Sequence, residues 1–370
     1  MGFILIMKSR KTLKILFAPS NIASVASITM DALNKNEEVS AKGFATQSHL
    51  YWSFGGNWTV VDYVPWKKNF IKRFFQALRK NVKLFQLILW ADIVHWQWDI
   101  GGEMIFDLHY KILRITRKPV MVEWLGSDIR IPEVVSKDNP YYKEASELGK
   151  YSYNFESAKR SSAIQSKFAK LNAIPVVCPE MSLFLDKSLF PRFVLLFQRI
   201  STKEIEPKLP DANNDHPVVV HTPSDRNAKG TFQVRRVVDS LRNKGCQFEY
   251  IEIHNKTRKE AVEATRKADI YLDQFIVGGY GMAACEAMAM AKPVFCYLMP
   301  SVVELLPPSC AIINTNLDNL EHTLEKYIKC APLRNTAGQK SRSYVEQYHD
   351  AESIAKELIT IYQKALQRRT

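Results

Sequence analysis

Short apolar runs alternate along this chain with longer stretches of helical periodicity. Leu13–Ala18 (LKILFA), Ala91–Asp99, the apolar start of Pro119–Arg130, Ala173–Val177, the VVVH run after His216-Pro217, Phe248–Ile253, Ile270–Phe275, Val294–Tyr297 and Ala311–Asn314 read as strands. Most lack a polar alternate face, the pattern of strands covered on both sides in a parallel sheet. Between them lie helical patterns: the stretch following PSN at 19–21, residues 66–90, Tyr141–Ala169, Thr231–Lys244, Arg258–Lys267 and a helix through Met282, Cys285, Glu286, Met288 and Ala289. The tail Tyr344–Leu366 reads as amphipathic, with Ile354, Leu358, Ile361, Tyr362 and Leu366 on one side. Alternating strands and helices imply βαβ units around parallel sheets. The alternation breaks at Ser188–Pro217, which has several prolines, mixed charge and Asn213-Asn214, so an interdomain connection is expected there. The expected organisation is a first domain over 1–190, a linker over 191–216, a second domain over 217–343 and a C-terminal helix over 344–370 that packs back on the first domain.

Composition narrows this modestly. At 370 residues, 46% hydrophobic and 24% charged, the chain can bury two cores of ordinary domain size. The six cysteines (178, 246, 285, 296, 310 and 330) form no C-x-x-C pair and sit mostly in apolar segments, as expected of reduced core residues in a cytoplasmic protein. The apolar GFILIM near the start is too short for a signal core or a membrane span. A formal net charge of +13 points to an acidic partner: a nucleotide diphosphate, an anionic lipid or a nucleic acid.

The most informative stretch is DIYLDQFIVGGYGMAACEAMAMAKPVFCY, residues 269–297. An apolar strand leads into a turn with Gly278, Gly279, Tyr280 and Gly281, then into a helix from Met282 that Lys292-Pro293 terminates. Glycines at such a turn let backbone approach a ligand, and free amides at a helix start favour an anion. Glu286 sits one turn into that helix among Ala, Met and Cys, where a carboxylate is costly unless paired. A ribose diol suits it, because one carboxylate accepts both hydroxyl protons. Upstream, HPVVVHTPSDRNAKGT places Arg226 and Lys229-Gly230 between a strand and a helix, and two cations there suit a diphosphate leaving group.

The run GGYGMAACEAMAMAKPV resembles the donor-site signature of retaining glycosyltransferases with the GT-B fold, family 4 in particular. The resemblance implies an α/β fold of two Rossmann-like domains with parallel sheets facing across a cleft. It also implies a nucleotide-diphosphate-sugar donor, with Glu286 gripping the nucleotide ribose and Arg226 and Lys229 neutralising the diphosphate. The family has a second glutamate eight positions earlier that contacts the transferred sugar. Here that position is Gly278, which raises the expectation of space for a bulkier donor sugar. The first loop departs too, carrying Ser20, Ala23, Ser24, Ala26 and Ser27 where relatives carry glycines. Leu125-Gly126-Ser127-Asp128 resembles the family's His-Gly-Ser-Asp turn without its histidine.

Two further candidates follow from position. Ligands gather at the carboxyl ends of parallel strands, so His95 in ADIVHWQWD and Asp128 after its glycine turn are candidate catalytic residues beside Arg226 and Lys229. A structural histidine and a helix-capping aspartate are the open alternative readings of these two. Residues 66–90 carry aromatic and aliphatic side chains at helical spacing, bordered by cations without a single acid. Trp66, Lys67, Lys68, Lys72 and Arg73 are its candidate membrane-facing residues, on an interfacial helix at an anionic surface. A surface helix packed on the first sheet, with a solvated basic side, has the same pattern.

The function expected is therefore metal-independent transfer of a sugar to a glycan or lipid-linked acceptor, with no resident cofactor and no nucleic-acid partner. Its place would be the cytoplasm, with peripheral contact to the inner face of the cell membrane. No Asp-x-Asp metal motif is present. The rivals are a nucleotide-sugar epimerase of the same fold, a non-catalytic glycosyltransferase-like subunit, which Gly278 favours, and a basic nucleic-acid-binding protein, for which no binding-fold motif is found.

Overall fold

The computed structural model describes residues 12–45, 57–61, 70–98 and 107–368. In chain order, β1 (Leu13–Ala18), α1 (Val25–Asn34), β2 (Val39–Ala45), β3 (Trp58–Val60), α2 (Phe70–Trp90), β4 (Ile93–Gln97), α3 (Leu108–Thr116) and β5 (Val120–Trp124) come first. The short α4 (Pro132–Val135), then α5 (Pro140–Glu147), α6 (Ala158–Ala169), β6 (Ile174–Val177), the single turn α7 (Pro179–Ser182) and β7 (Val194–Leu195) complete the first half. The second half runs β8 (Val218–His221), α8 (Arg226–Lys229), α9 (Thr231–Asn243), β9 (Glu249–Glu252), α10 (Arg258–Lys267), β10 (Ile270–Leu272), α11 (Met282–Ala289) and β11 (Val294–Cys296). It continues with α12 (Pro300–Val303), β12 (Ile313–Asn314), α13 (Leu320–Lys329), α14 (Ala331–Tyr348) and α15 (Ala351–Gln367).

Among the described residues the strands form a seven-stranded sheet, ordered β3-β2-β1-β4-β5-β6-β7, and a five-stranded sheet, ordered β12-β11-β10-β8-β9. Every pairing is parallel. The missing polar alternation is explained by cover on both faces. Ile15, Phe17, Ile93 and Met121 face one way, against Met30 and Leu33 of α1 and Leu358 and Tyr362 of α15. Leu16, Val94, Trp96, Val122 and Trp124 face the other, into the core that holds Leu84 and Ile88 of α2. Thus α15 reaches back across the chain onto the first sheet.

Two long helical patterns are each split in two. Residues 141–169 divide into α5 and α6 because Gly149 takes a left-handed φ of +64° and Ser157 caps the second helix through Arg160 N. The tail divides at Asp350, which caps α15 through Ser353 N and bridges to Ile200.

In each sheet the strand order reverses once, between β1 and β4 and between β8 and β10, and such reversals open a crevice at the strands' carboxyl ends. The loop after β1 sits at the first of these. It holds Ala23 and Ser24 at φ of 49° and 62°, a region that costs a residue with a side chain about 1–3 kcal/mol.

Candidate active site

The second reversal brings Lys229 against the loop that leads into the glycine turn. The loops that follow β8 and β10 touch: Phe275 N donates to Lys229 O at 3.2 Å. His221, at the end of β8, braces this corner with one ring nitrogen 2.8 Å from Leu272 O and the other 2.9 Å from Thr231 Oγ1. Its burial lowers its pKa to about 4, so it is neutral at physiological pH. Lys229 lies 2.6 Å from Asp273, which directly follows β10, and Asp273 is buried. Burial alone would depress the ammonium, but the aspartate overrides it and raises the Lys229 pKa. Arg226 Nε donates to Glu252 at 3.0 Å, and Arg235 makes two further bonds to the same carboxylate. Glu286 is paired with Arg258 at the start of α10. Its neighbours Ala284, Cys285, Ala287 and Met288 are fully buried.

The glycine turn is held by its carbonyls. Gln274 Nε2 donates to Gly279 O, and the Cys296 thiol lies 3.2 Å from the same oxygen. Gly278 has φ +86°, which a side chain resists. Gly281 caps α11 with open space where a Cβ would be, and Met282 is half-buried beside it. Tyr280 turns inward: its hydroxyl is 2.9 Å from Tyr344 OH and 3.1 Å from His349 Nε2, both on the α14 side.

The first-domain candidates sit differently. His95 is fully buried within the sheet, its Nδ1 2.6 Å from Tyr362 OH of α15 and its Nε2 3.3 Å from Glu123. Arg199 grips Glu123 with two guanidinium nitrogens and also reaches Thr29. Burial alone would raise the Glu123 carboxyl, yet Arg199 and His95 hold it well below its ordinary range. This network ties the linker and α15 to the first sheet, and His95 does not open onto the cleft. Asp128 is buried and accepts from the amides of Leu125, Gly126 and Ile129, a cap for the turn after β5. Burial outweighs those amides and pushes its pKa up to about 7. Trp66, Lys67 and Lys68 lie outside the described residues, and only the backbone of Lys72 and Arg73 is described.

The expected space at Gly278 is not there. A Cβ at Gly278 would come within 2.7 Å of Asn139 Nδ2 and 3.1 Å of Met299 Cβ. Asn139 reaches from the first domain to donate to Ile276 O at 2.8 Å while capping α5 through Tyr142 N. The same segment supplies Asp138 Oδ2 to the amide of Ser301 at 2.9 Å and Tyr141 to an edge contact with Tyr297. The two domains are closed on each other along this seam.

Asp273, Arg258, Asn139, Arg130 and Glu180 were not apparent from the chain alone. One signal does mark three of them. Asp273 follows β10, Arg130 follows β5 and Glu180 follows β6, all at carboxyl ends of parallel strands. Among the described residues no three His, Cys, Asp or Glu side chains are grouped to hold a metal ion.

No protein-family profile matches the sequence, and no curated protein matches it. Solved structures do resemble it in shape. Sucrose-phosphate synthase from Thermosynechococcus elongatus superposes with a TM-score of 0.61 at 13% identity, covering 96% of this chain and 100% of the other. The catalytic domain of starch synthase IV from Arabidopsis thaliana, bound to ADP and acarbose, gives 0.60 at 12%, covering 97% and 100%. Anabaena HepE in complex with UDP and glucose gives 0.59 at 11%, covering 95% and 100%. At such identities the likeness is one of fold: this chain has the GT-B architecture of those enzymes.

Proposed function

We propose that this chain is a retaining glycosyltransferase of the family 4 type, with its nucleotide-sugar donor held by the C-terminal domain. The observation that carries the reading is the convergence of Lys229 and the glycine turn at the β8/β10 reversal, with Glu286 one turn into the helix that follows. Lys229, Arg226 and the first amides of α11 would take the charge of the departing diphosphate, so the reaction needs no metal for that purpose. Glu286 would exchange its bond to Arg258 for the ribose hydroxyls. The GT-B neighbours whose structures hold UDP with glucose, or ADP, support this choice of donor class.

A glycan or lipid-linked acceptor is the finer part of the proposal, and α2 and α3 support it. Phe74, Phe75, Leu78, Val82, Phe85 and Leu89 of α2 are exposed, as is Ile115 of α3. Exposed Arg79, Lys83, Lys111, Arg114 and Arg117 border them, and neither helix contains an acid. An apolar face rimmed by cations suits peripheral contact with an anionic membrane, where lipid-linked glycans are built. Among the described residues no helix is long and apolar enough to cross a membrane.

A second reading, a non-catalytic subunit, is favoured by one observation: both phosphate-reading cations already carry acidic partners, Glu252 and Asp273. The deciding assay offers a panel of nucleotide-sugars with a lipid-linked acceptor extract and follows transfer. Transfer from one donor supports the enzyme. Nucleotide binding without transfer supports the subunit, and turnover of donor without acceptor supports an epimerase.

A further inference from the structure

The glycine pair of the donor turn consists of two residues with different needs. Gly278 has a left-handed φ and must be glycine for backbone reasons. Gly279 has no such conformation, so its backbone would accept any residue. What occupies that space is Glu180 of the first domain: a Cβ on Gly279 would meet Glu180 Oε2, Cδ and Cγ, and the carboxylate would have to move. A carboxylate from across the cleft thus fills the space that a side chain of the turn would occupy.

Glu180 is held for this position. It opens the α7 turn at the carboxyl end of β6, and its Oε1 accepts from Arg130 Nη2 at 3.0 Å. Arg130, from the loop after β5, is fixed from behind by Glu156 at 2.8 Å, which Tyr142 OH also reaches at 2.9 Å. Glu180 is only 9% exposed, and its Oε2 is the atom that lies against Gly279. A ligand that brings hydroxyl donors to the turn would meet that oxygen.

We infer that Glu180 is a specificity-determining residue that reads the sugar: its Oε2, delivered at Gly279 across the closed cleft, accepts sugar hydroxyls of the donor, and Arg130 positions it. The inference rests on the donor-site reading of the C-terminal domain. It also gives Gly279 a role as the gap through which the first domain addresses the donor.

The test is calorimetric titration with three matched pairs: UDP and UDP-glucose, ADP and ADP-glucose, GDP and GDP-mannose. Glu180→Gln keeps an acceptor for Arg130 but loses the anionic oxygen. Arg130→Lys keeps a cation beside Glu180 and Glu156 but loses the guanidinium fork that aims the Glu180 carboxylate. Both variants should hold the diphosphate within about twofold of the unmodified protein and lose about tenfold or more for the preferred sugar nucleotide. Melting curves identify a variant that has failed to fold, and the other then carries the test. Equal losses for diphosphate and sugar nucleotide, or no loss for either, would overturn the role of Glu180 while leaving the donor site standing. No binding of any nucleotide by the unmodified protein would overturn the donor reading itself, and this inference with it.

Discussion

Lys229 and Asp273 make the sharpest residue-scale case, because the aspartate neutralises the charge that a diphosphate would meet. If Lys229 faces phosphate, Asp273→Asn releases a full ammonium and should raise nucleotide diphosphate affinity about tenfold, roughly 1.4 kcal/mol. Unchanged affinity would make the pair structural. Removing only the cation is the harsher change, since a buried ion left unpaired typically costs about 3–5 kcal/mol. Lys229→Ala should therefore melt well below the double variant Lys229→Ala/Asp273→Ala, and equal melting points would contradict the pairing. Glu286 was singled out in the sequence as a carboxylate among Ala, Met and Cys, and Arg226 and Lys229 as two cations between a strand and a helix. Their partners were not, since Asp273 lies 44 residues from Lys229 and only the β8/β10 pairing makes them neighbours. Asp128 supplies a pH signature. Its carboxyl titrates near 7 when folded against an ordinary 3.8, so the native state holds an extra proton between those values. That component of stability falls as pH rises from about 4 to about 7, and Asp128→Asn should gain on the unmodified protein by up to about 1.4 kcal/mol per pH unit across that window. Parallel stability profiles in denaturant titrations would remove the buried titration.

At the level of elements, apolar runs identified nine of the twelve described strands, because strands covered on both faces are almost continuously apolar. They missed β2, whose run is broken by Ser40, Lys42 and Gly43, and two strands set by tertiary pairing. β3 and β7 are three and two residues long and exist only as edges of a sheet already formed. The breaks at Gly149 and Asp350 were hidden because periodicity runs on across a short loop. The loop after β1 makes a testable exception to a general rule. Glycine normally costs a helix or strand about 0.5–1 kcal/mol, but at Ala23 and Ser24 it would relieve positive-φ strain. Ala23→Gly should be neutral or stabilising in thermal melts, and a loss of the usual size would mean that the loop does not hold that conformation. α2 and α3 carry the membrane claim. Each cation near an anionic surface contributes about 1 kcal/mol, so changing Lys67, Lys68, Lys72 and Arg73 together to Gln should release the protein from phosphatidylglycerol vesicles in co-sedimentation. Retention of this variant at high salt would place the attachment elsewhere, and no sedimentation of the unmodified protein would return α2 to a surface helix.

For the whole molecule, the two-domain architecture was readable from the βαβ rhythm, and its closure was not. The seam of Asp138, Asn139, Tyr141 and Glu180 against Ile276, Gly279, Tyr297 and Ser301 pairs residues more than 90 positions apart, and no local pattern announces it. The C-terminal helices are tied back in the same way, through Tyr362 on His95 and His349 on Gln198 O. Burial holds His221 and His349 near 4 rather than 6.5, so both are neutral in the native state and gain protons on unfolding. Each therefore contributes stability that is complete above pH 6.5 and declines as pH falls toward 4, by up to about 1.4 kcal/mol per unit. The most direct test of the donor site is calorimetric titration of UDP, ADP and GDP into the unmodified protein and into Glu286→Gln. One nucleotide should bind, and the variant should bind it about tenfold more weakly, the effect of losing charged hydrogen bonds worth roughly 1.5–3 kcal/mol. A folded Glu286→Gln protein with undiminished affinity, or an unmodified protein that binds none of the three, would contradict a nucleotide-sugar site in this domain.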